Sequence, residues 1–298
     1  LVISVIPGGP SEKAGLLAGD RIITINDSLF AGNNSSQGKI MKTLRGAKNS
    51  VVKLGIKRST SQDLLYFNVT RGDVPVNSVD VAYVVREGVG YIKVNKFART
   101  TYNEFITAIA KLKQQNCKSF IIDLRGNTGG YMDAAINMIN EFMANGRLIV
   151  YTEGKAFPRN DVYANGTGTC QDAPIVVLTD EFSGSASEIF AGAIQDNDRG
   201  LIIGRRTYGK GLVQSQIPLS DGSALRLTIA RYYTPSGRCI QKDYELGKTD
   251  EYDQDLFNRF MHGEFDSADS IKINNSLKYQ TSLGRTVYGG GGIMPDTF

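Results

Sequence analysis

A serine and a lysine 25 positions apart stand in sequence contexts that suit nucleophilic catalysis. Residues 183–189 read Ser-Gly-Ser-Ala-Ser-Glu-Ile and come shortly after an apolar run, which predicts a buried strand, a turn and a helix. Ser185 is therefore expected at the first helical turn, where free backbone N–H groups and the helix dipole favour a bound oxyanion. Lys210 lies between two glycines, ahead of a second apolar run. We interpret Ser185 as a nucleophile and Lys210 as its general base.

The same residues have simpler structural interpretations. The spacing of Ser185 and Glu188 fits a Ser-x-x-Glu capping box, in which the serine is only a helix N-cap. A lysine between glycines is usually a solvated turn residue, and Gln214 is typical of a protein surface. The composition favours a lysine base, because the only histidine, His262, lies in a polar, aromatic segment typical of a surface insertion. A Ser-His-Asp triad would have to recruit that histidine.

A lysine base has to lose its proton at neutral pH, which sets a requirement on its surroundings. The reference pKa of a lysine is ~10.4, so a pKa of ~7 corresponds to about 4 kcal/mol of desolvation. Burial among apolar neighbours such as Tyr208, Leu212 and Val213 would supply this, and a carboxylate beside the amine would work against it. We therefore expect Lys210 to be buried.

Composition and charge exclude several other classes of protein. The 298 residues are 41% hydrophobic and 21% charged, which is typical of a globular chain with a sizeable core. No stretch approaches about 18 apolar residues, so no membrane-spanning helix is expected. The net charge of +4 is spread along the chain, without the basic cluster of a nucleic-acid binder. The three cysteines suit neither a disulfide framework nor a zinc site, and no metal or cofactor is expected.

From residue 73 onward, strand and helix patterns alternate, which predicts a mainly parallel sheet with helical crossovers. Sites in such folds lie at the carboxyl ends of the strands, so the loops at 125–130 and 183–187 are expected to face one another. Gly129 and Gly130 would let the backbone turn N–H groups toward a ligand, although an ordinary tight turn is the simpler interpretation. Residues 204–210 also have the spacing of a phosphate-binding loop, but a glycine and a strand pattern follow Lys210, which argues against nucleotide binding.

Residues 1–72 form a separate pattern of short strands and helical segments. An alternating run at 2–6, interpreted as a strand, leads into Pro-Gly-Gly-Pro-Ser-Glu-Lys-Ala-Gly-Leu, where Ser11 would cap a short helix. This region resembles a PDZ domain, which implies capture of an extended peptide by strand addition, with its terminal carboxylate held by backbone N–H groups. The carboxylate-binding loop of such a domain would precede residue 1, so the module is interpreted as N-terminally incomplete. A small β domain that only positions its neighbour is the alternative, and residues 73–77 are interpreted as the linker.

Several motifs resemble, in order, those of the C-terminal processing peptidases, or tail-specific proteases, which are serine peptidases with a Ser-Lys dyad. Residues 123–130 read Asp-Leu-Arg-Gly-Asn-Thr-Gly-Gly, and residues 204–214 read Gly-Arg-Arg-Thr-Tyr-Gly-Lys-Gly-Leu-Val-Gln. The serine motif at 183–189 and the segments at 232–238 and 289–296 complete the resemblance. The fold that it implies is an α/β, ClpP/crotonase-like peptidase core, with the PDZ module controlling access.

The resemblance also implies roles for single residues. Ser185 matches the nucleophile, Lys210 the general base and Gln214 the residue whose side chain orients the lysine amine. Backbone N–H groups of Ala186, Gly129 and Gly130 would form the oxyanion hole.

Two domains are therefore expected: a PDZ-like domain at 1–72 and a Ser-Lys peptidase domain at 73–298 with an acidic, aromatic insertion at about 241–285. The implied function is cleavage of protein substrates near their C-terminus through an acyl-enzyme. Unstructured C-terminal tails are the expected partners, an adaptor protein and homo-oligomerisation stay open, and the family resemblance implies the bacterial cell envelope or periplasm. Two functions compete with this one: a non-catalytic PDZ-containing protein that binds peptides, and a crotonase-like acyl-CoA enzyme.

Overall fold

The structure is a computed structural model that describes residues 1–31, 36–74, 77–244 and 249–298. The chain divides into two units, Leu1–Val76 and Asn77–Phe298. The sequence predicts this boundary after residue 72, and part of the expected linker, residues 75–76, lies outside the described residues.

The first unit is built on one antiparallel sheet with strand order β2-β1-β3-β4. Its small core comprises six apolar side chains, which are those of Leu16, Ile25, Val52, Leu54, Ile56 and Val69. The elements of this unit are α1 (Pro10–Lys13), β1 (Arg21–Ile25), β2 (Ser28–Leu29), α2 (Gln37–Leu44), β3 (Val51–Lys57) and β4 (Leu65–Thr70).

Two local predictions for this unit are wrong. Residues 2–6 form no strand, and Val2 instead exchanges backbone hydrogen bonds with Gly19 and Asp20 at 2.8 Å each. The short helix α1 is capped by Gly9 rather than Ser11, because Pro10 occupies its first position with a preset φ. Gly15, with a φ of 89°, lies just beyond the end of this helix.

The second unit contains the predicted parallel sheet, with strand order β11-β10-β7-β6-β5. Its four strands β6, β7, β10 and β11 run parallel, and β5 pairs antiparallel with β6 as a hairpin. The elements of this sheet and its helices are β5 (Val81–Arg86), β6 (Val89–Lys93), α3 (Thr101–Gln114), β7 (Ser119–Asp123), α4 (Met132–Asn140), β10 (Ile175–Thr179), α5 (Ala186–Asp196) and β11 (Leu201–Gly204). The mixed α/β fold class predicted from the sequence is confirmed.

The helices of this unit share one core with the sheet. Phe105, Ile109 and Leu112 recur along α3 at helical spacing, and all three are buried as the sequence predicts. Phe142 contacts the rings of Phe105, Phe120 and Phe190 edge to face. Helix α5 is buried along its whole length, so its first turn has a fixed position at the carboxyl end of β10.

A second, antiparallel sheet has the order β12-β13-β8-β9, with β8 and β9 before Lys210 in the chain and β12 and β13 after it. Its strands are β8 (Leu148–Glu153), β9 (Asn160–Tyr163), β12 (Leu212–Pro218) and β13 (Ala224–Tyr233). The predicted strand after Lys210 is thus confirmed as β12. The remaining elements lie in the insertion and after it: α6 (Thr249–Asp253), α7 (Asp255–Met261), a short 3-10 helix (Ala268–Ser270), β14 (Lys278–Gln280) and β15 (Thr286–Tyr288).

Candidate active site

Ser185 stands on a strained turn between β10 and α5. It is the N-cap of α5, with φ 55° and ψ −112°. A non-glycine residue with such a positive φ costs about 1–3 kcal/mol, and strain of this kind is concentrated at active sites. Hydrogen bonds hold the turn on both sides of the serine: Gly184 N–H donates to Asn127 O at 2.9 Å, and Ser185 N–H donates to Glu188 Oε2 at 2.7 Å.

Ser185 and Glu188 form the capping box that their spacing predicts. Glu188 Oε2 accepts from the Ser185 amide at 2.7 Å, and the Glu188 N–H donates to Ser185 O at 2.9 Å. The Ser185 side chain is half-buried at the start of α5.

The carboxylate of Glu188 joins the turn at 183–187, which holds the proposed nucleophile and is called the nucleophile turn, to the loop at 205–211, called the lysine loop. It is fully buried and accepts four hydrogen bonds. Oε1 accepts from Thr207 Oγ1 and Gly209 N–H at 2.6 Å each, and Oε2 accepts from Ser185 N–H at 2.7 Å and Lys210 N–H at 2.8 Å. Burial raises the pKa of Glu188, and the four hydrogen bonds act in the opposite direction. Because one oxygen binds both amides, the backbone nitrogens of Ser185 and Lys210 are at most 5.5 Å apart.

Lys210 lies in the loop that follows β11. Besides the bond through Glu188, Tyr208 N–H donates to Ser183 O at 3.0 Å, which fastens this loop to the nucleophile turn a second time. The Lys210 side chain is exposed, so the expectation of burial among its sequence neighbours is wrong. Those neighbours do not cover it: Tyr208, Leu212 and Val213 are each only half-buried.

The loop at 125–130 faces the nucleophile turn, as predicted from the parallel sheet. Asn127 O accepts from Gly184 N–H and from Ser187 Oγ at 2.9 Å each. Gly129 passes so close to the turn that an added Cβ would lie 2.7 Å from Ser185 Cβ and 2.6 Å from Gly184 O. Only glycine fits there, also because its φ is 101°.

The expected oxyanion donors differ in their availability. Gly129 N–H donates to Asn127 Oδ1 at 2.9 Å and is therefore occupied in this arrangement. Ala186 N–H, at the start of α5, and Gly130 N–H, in the facing loop, have no hydrogen-bond acceptor within the described residues.

Asp123, at the end of β7, fixes the base of the facing loop. Its carboxylate accepts from Arg125 N–H at 2.8 Å, from the Arg125 guanidinium at 2.7 Å and from Tyr91 Oη at 2.5 Å. Burial alone would raise the pKa of Asp123, but the hydrogen bonds from Arg125 and Tyr91 lower it to about 2. Burial and Asp123 together raise the pKa of Tyr91 to about 12.

Comparison with known proteins identifies the family of this arrangement. Residues 88–250 match the model of peptidase family S41, and residues 1–58 match that of the PDZ domain. The chain belongs to peptidase family S41. The expected resemblance to C-terminal processing peptidases with a PDZ domain is thereby confirmed.

Named relatives agree with this assignment. The chain is 35% identical over 246 residues to a carboxyl-terminal-processing protease of Picosynechococcus sp., covering 81% of this chain and 58% of that protein. It is 32% identical to the carboxy-terminal processing protease CtpB of Bacillus subtilis, with 81% and 50% covered. The solved structure of a photosystem II D1 C-terminal processing protease has a TM-score of 0.51 at 31% identity, covering 80% of this chain and 64% of that chain. The chain spans about half the length of the curated relatives it matches.

Two further sequence candidates lie apart from the hydrogen-bonded centre. Gln214 is exposed on β12 beside a β-bulge, and its side chain hydrogen-bonds to none of the described residues. His262 is exposed at the end of α7, where its Nδ1 lies 2.6 Å from Asn258 O. The role expected for Gln214 stays a prediction.

The first unit contains an apolar groove of about 510 Å³. It lies between the segment at 2–6 and the end of α2, and its lining includes the core residues Leu16 and Val52 and the half-buried Leu44. A concave apolar surface of this size suits a short apolar peptide segment.

The described residues contain no candidate membrane-spanning helix, metal-binding cluster or disulfide. Within them, no helix is both long and apolar enough to cross a bilayer, and no group of His, Cys, Asp and Glu side chains could hold a metal ion. The cysteines are free, with Cys117 and Cys170 buried and Cys239 half-buried.

Sequence reasoning missed the residues that hold the site together. The sequence indicates Glu188 only as part of a capping box, and it indicates Asn127 and Asp123 only as members of the motif at 123–130. The Ser-x-x-Glu spacing was a usable signal for Glu188, because a buried carboxylate one helical turn from a nucleophile needs donors from elsewhere. Nothing in the sequence indicated that those donors are Thr207, Gly209 and Lys210.

Proposed function

We propose that the chain is the catalytic and tail-binding part of a serine endopeptidase that cleaves proteins near their C-terminus with a Ser185–Lys210 dyad. The observation that carries the proposal is the shared oxygen of Glu188, which binds the amides of both residues and keeps their backbones within 5.5 Å. A lysine side chain is long enough to span such a separation and reach the serine hydroxyl. The names of the 32–38% identical relatives support the same reaction.

In the proposed acylation step, Ser185 Oγ attacks the scissile carbonyl while its proton passes to the neutral Lys210 amine. The carbonyl oxygen becomes an oxyanion and accepts hydrogen bonds from Ala186 N–H and Gly130 N–H. The lysine ammonium then donates its proton to the departing amine, and the C-terminal fragment leaves. Preorganised donors of this kind are worth about 10²–10³ in rate each.

In the deacylation step, water attacks the acyl-enzyme and the same lysine accepts a proton from it. Collapse of the second tetrahedral intermediate returns that proton to Ser185 Oγ and releases the N-terminal fragment as a carboxylic acid, which loses its remaining proton to solvent. Because Lys210 is exposed in the free protein, the bound substrate itself would remove water from the amine and favour its neutral form. Gln214, four residues further on, is proposed to orient the amine once substrate is bound.

The PDZ-like unit is proposed to bind the substrate's tail in its apolar groove. The PDZ match and the groove of about 510 Å³ support peptide binding there. Adaptors, oligomeric state and the expected envelope location stay predictions.

The proposal is tested by mass spectrometry of peptides with a free, apolar C-terminus after incubation with wild type, Ser185→Ala, Lys210→Ala and Lys210→Arg. Wild type should cut the peptides, and all three variants should be inactive but folded. The arginine variant should fail because a guanidinium cannot give up its proton at usable pH. Uncut peptides with wild type would favour a non-catalytic peptide-binding protein, and full activity of Ser185→Ala would contradict the dyad.

A further inference from the structure

The loop that carries Lys210 is held not only by Glu188 but also by the start of the insertion. Gly211 N–H donates to Gln241 Oε1 at 3.0 Å, and Lys242 N–H donates to Gly209 O at 2.9 Å. Gly209 passes so close that an added Cβ would lie 2.9 Å from Lys242 Cβ. The insertion therefore fixes the backbone on both sides of Lys210.

The side chain of Lys242 connects this start to the helices of the insertion. It is buried, and its amine donates to Tyr252 O and to Asp255 Oδ2 at 3.1 Å each. The amine also lies 4.4 Å from the ring centroid of Tyr208 and 4.1 Å from that of Tyr252. Tyr208 belongs to the lysine loop, so α6 and α7 are coupled to that loop through one cation.

The end of α7 binds the other side of the loop. The Arg206 guanidinium donates to Glu264 Oε1 at 2.6 Å and to Oε2 at 2.8 Å. Arg259 donates to the same carboxylate at 2.9 Å, and also to Thr207 O at 3.0 Å and Arg206 O at 2.7 Å. Arg259 and Glu264 are each only 5% exposed, and bidentate guanidinium–carboxylate contacts of this kind fix geometry as well as charge.

Glu264 holds this cluster together, because its carboxylate accepts hydrogen bonds from the guanidinium groups of both Arg206 and Arg259. Burial, and then the neighbouring charge of Arg206, lower the pKa of Arg259. Without Glu264 the two cations would face each other in a buried place and would push the loop away from α7.

We propose that Arg259 and Glu264 are positioning residues for the general base: through Arg206 and Thr207, the insertion sets the place from which Lys210 reaches Ser185. The inference rests on the proposed function. The Lys210 amine hydrogen-bonds to none of the described residues, so its position follows from the backbone that carries it. A misplacement of about 1 Å at a reacting group can cost about 10²-fold in rate.

The test compares wild type with Glu264→Gln, which removes the shared negative charge, and Arg259→Lys, which keeps the positive charge but loses the guanidinium's several hydrogen bonds. We expect kcat to fall about 10- to 100-fold with KM unchanged within about twofold. The pH at which cleavage is half-maximal should also shift, since the surroundings of the base change. Hydrogen exchange of amides 206–212 should be faster in both variants.

Arg285→Lys is the matched control. Arg285 belongs to the same insertion and binds Asp198 at 2.5 Å and Asp296 at 2.6 Å, but it donates no hydrogen bond to residues 205–211. Its variant should keep kcat and the pH profile of wild type, which separates positioning of the base from general loss of an ion pair.

Wild-type kcat and unchanged exchange at 206–212 in both variants would overturn the inference. The proposed function fails separately, if Ser185→Ala still cleaves; the exchange measurement would then still decide whether the insertion orders the loop. If Glu264→Gln does not fold, judged by circular dichroism, Arg259→Lys carries the test because it retains the positive charge.

Discussion

At the scale of single residues, the site depends on a carboxylate that is expected to take no part in the chemistry. The carboxylate of Glu188 accepts four hydrogen bonds and connects the nucleophile turn to the lysine loop. A buried carboxylate is costly unless donors compensate for the lost water. Those donors come from the nucleophile turn and from the lysine loop. The hydrogen bonds that stabilise the buried carboxylate therefore also hold these two segments together.

Replacement of Glu188 by glutamine should therefore damage both stability and catalysis. The NH₂ of the glutamine amide would face backbone N–H groups that now donate to the carboxylate. Each donor left without an acceptor would cost about 1–3 kcal/mol. We expect a lower free energy of unfolding and at least tenfold slower cleavage, measured by urea denaturation and peptide assay. Glu181→Gln is the control, since Glu181 is also buried, at 5% exposure, but among the described residues its carboxylate accepts only from Arg205. Equal activities in the two variants would contradict the role given to Glu188.

The proposed pair follows from the sequence, whereas the contacts that support it do not. Ser185 and Lys210 stand in recognisable motifs, and the single histidine lies in the insertion, which favours the lysine as the base. The contacts of Glu188 reach backbone groups about 20 positions away, and such contacts leave no periodic pattern. The predicted burial of Lys210 is wrong for a related reason. Leu212 and Val213 lie on β12, where successive side chains point to opposite faces, so they do not cover the lysine that precedes the strand.

At the scale of elements, two strand-to-helix turns meet at one edge of the parallel sheet. β7 leads into the loop at 125–130 and β10 into the turn that carries Ser185, and these strands are direct neighbours. Their meeting was predictable, because parallel strands bring their carboxyl ends to the same edge. The strand predicted at 2–6 could not be verified from the sequence in this way. An alternating pattern forms a strand only where a neighbouring strand has an edge free for pairing.

The close approach of these two turns predicts a sharp difference between two glycines of one loop. Gly129→Ala would place a methyl group 2.7 Å from Ser185 Cβ and should lower kcat at least a hundredfold, measured with the peptide assay. Gly126→Ala is the matched control, because its φ is also positive, at 73°, but its Cβ would meet nothing within 4 Å. The control should lose about 1–2 kcal/mol of stability and keep its activity. Comparable kcat values in both variants would contradict the geometry of the facing loop.

The network around Asp123 predicts a pH dependence for the stability of this edge. Its pKa of about 2 lies below the ordinary value of 3.8, so its ionised form stabilises the fold above pH ~3.8, by about 2 kcal/mol. This contribution should be lost as the pH falls through about 2. The difference in unfolding free energy between wild type and Asp123→Asn, measured by urea titration, should therefore shrink between pH 4 and 2. A difference that stays constant over that range would count against the assigned hydrogen bonds.

At the scale of the whole molecule, two units divide the proposed work between binding and chemistry. The first has an apolar groove without catalytic groups, and the second contains every residue of the proposed dyad and oxyanion hole. The α/β class and the PDZ likeness followed from sequence pattern and motif. The insertion at 241–285 was recognised only as a departure from the family, because its contacts with the lysine loop pair side chains far apart in the chain.

This division predicts that a change in the groove affects binding alone. Leu44→Ala should raise KM for apolar tails about tenfold, corresponding to about 1.4 kcal/mol of lost contact, with kcat unchanged. Tyr66→Ala is the control, since Tyr66 is exposed on β4 and does not line the groove. Steady-state kinetics with one tail peptide would measure both, and a fall in kcat with unchanged KM for Leu44→Ala would contradict the assignment.

The most direct test of the whole account is to find the covalent intermediate. Wild type should be mixed with a tail peptide, quenched in acid during turnover and mapped by mass spectrometry after digestion. The account predicts an added mass equal to the N-terminal fragment of the peptide on Ser185, and no such adduct in Lys210→Ala. Continued cleavage with Ser185 unmodified, or an adduct on another residue, would contradict it.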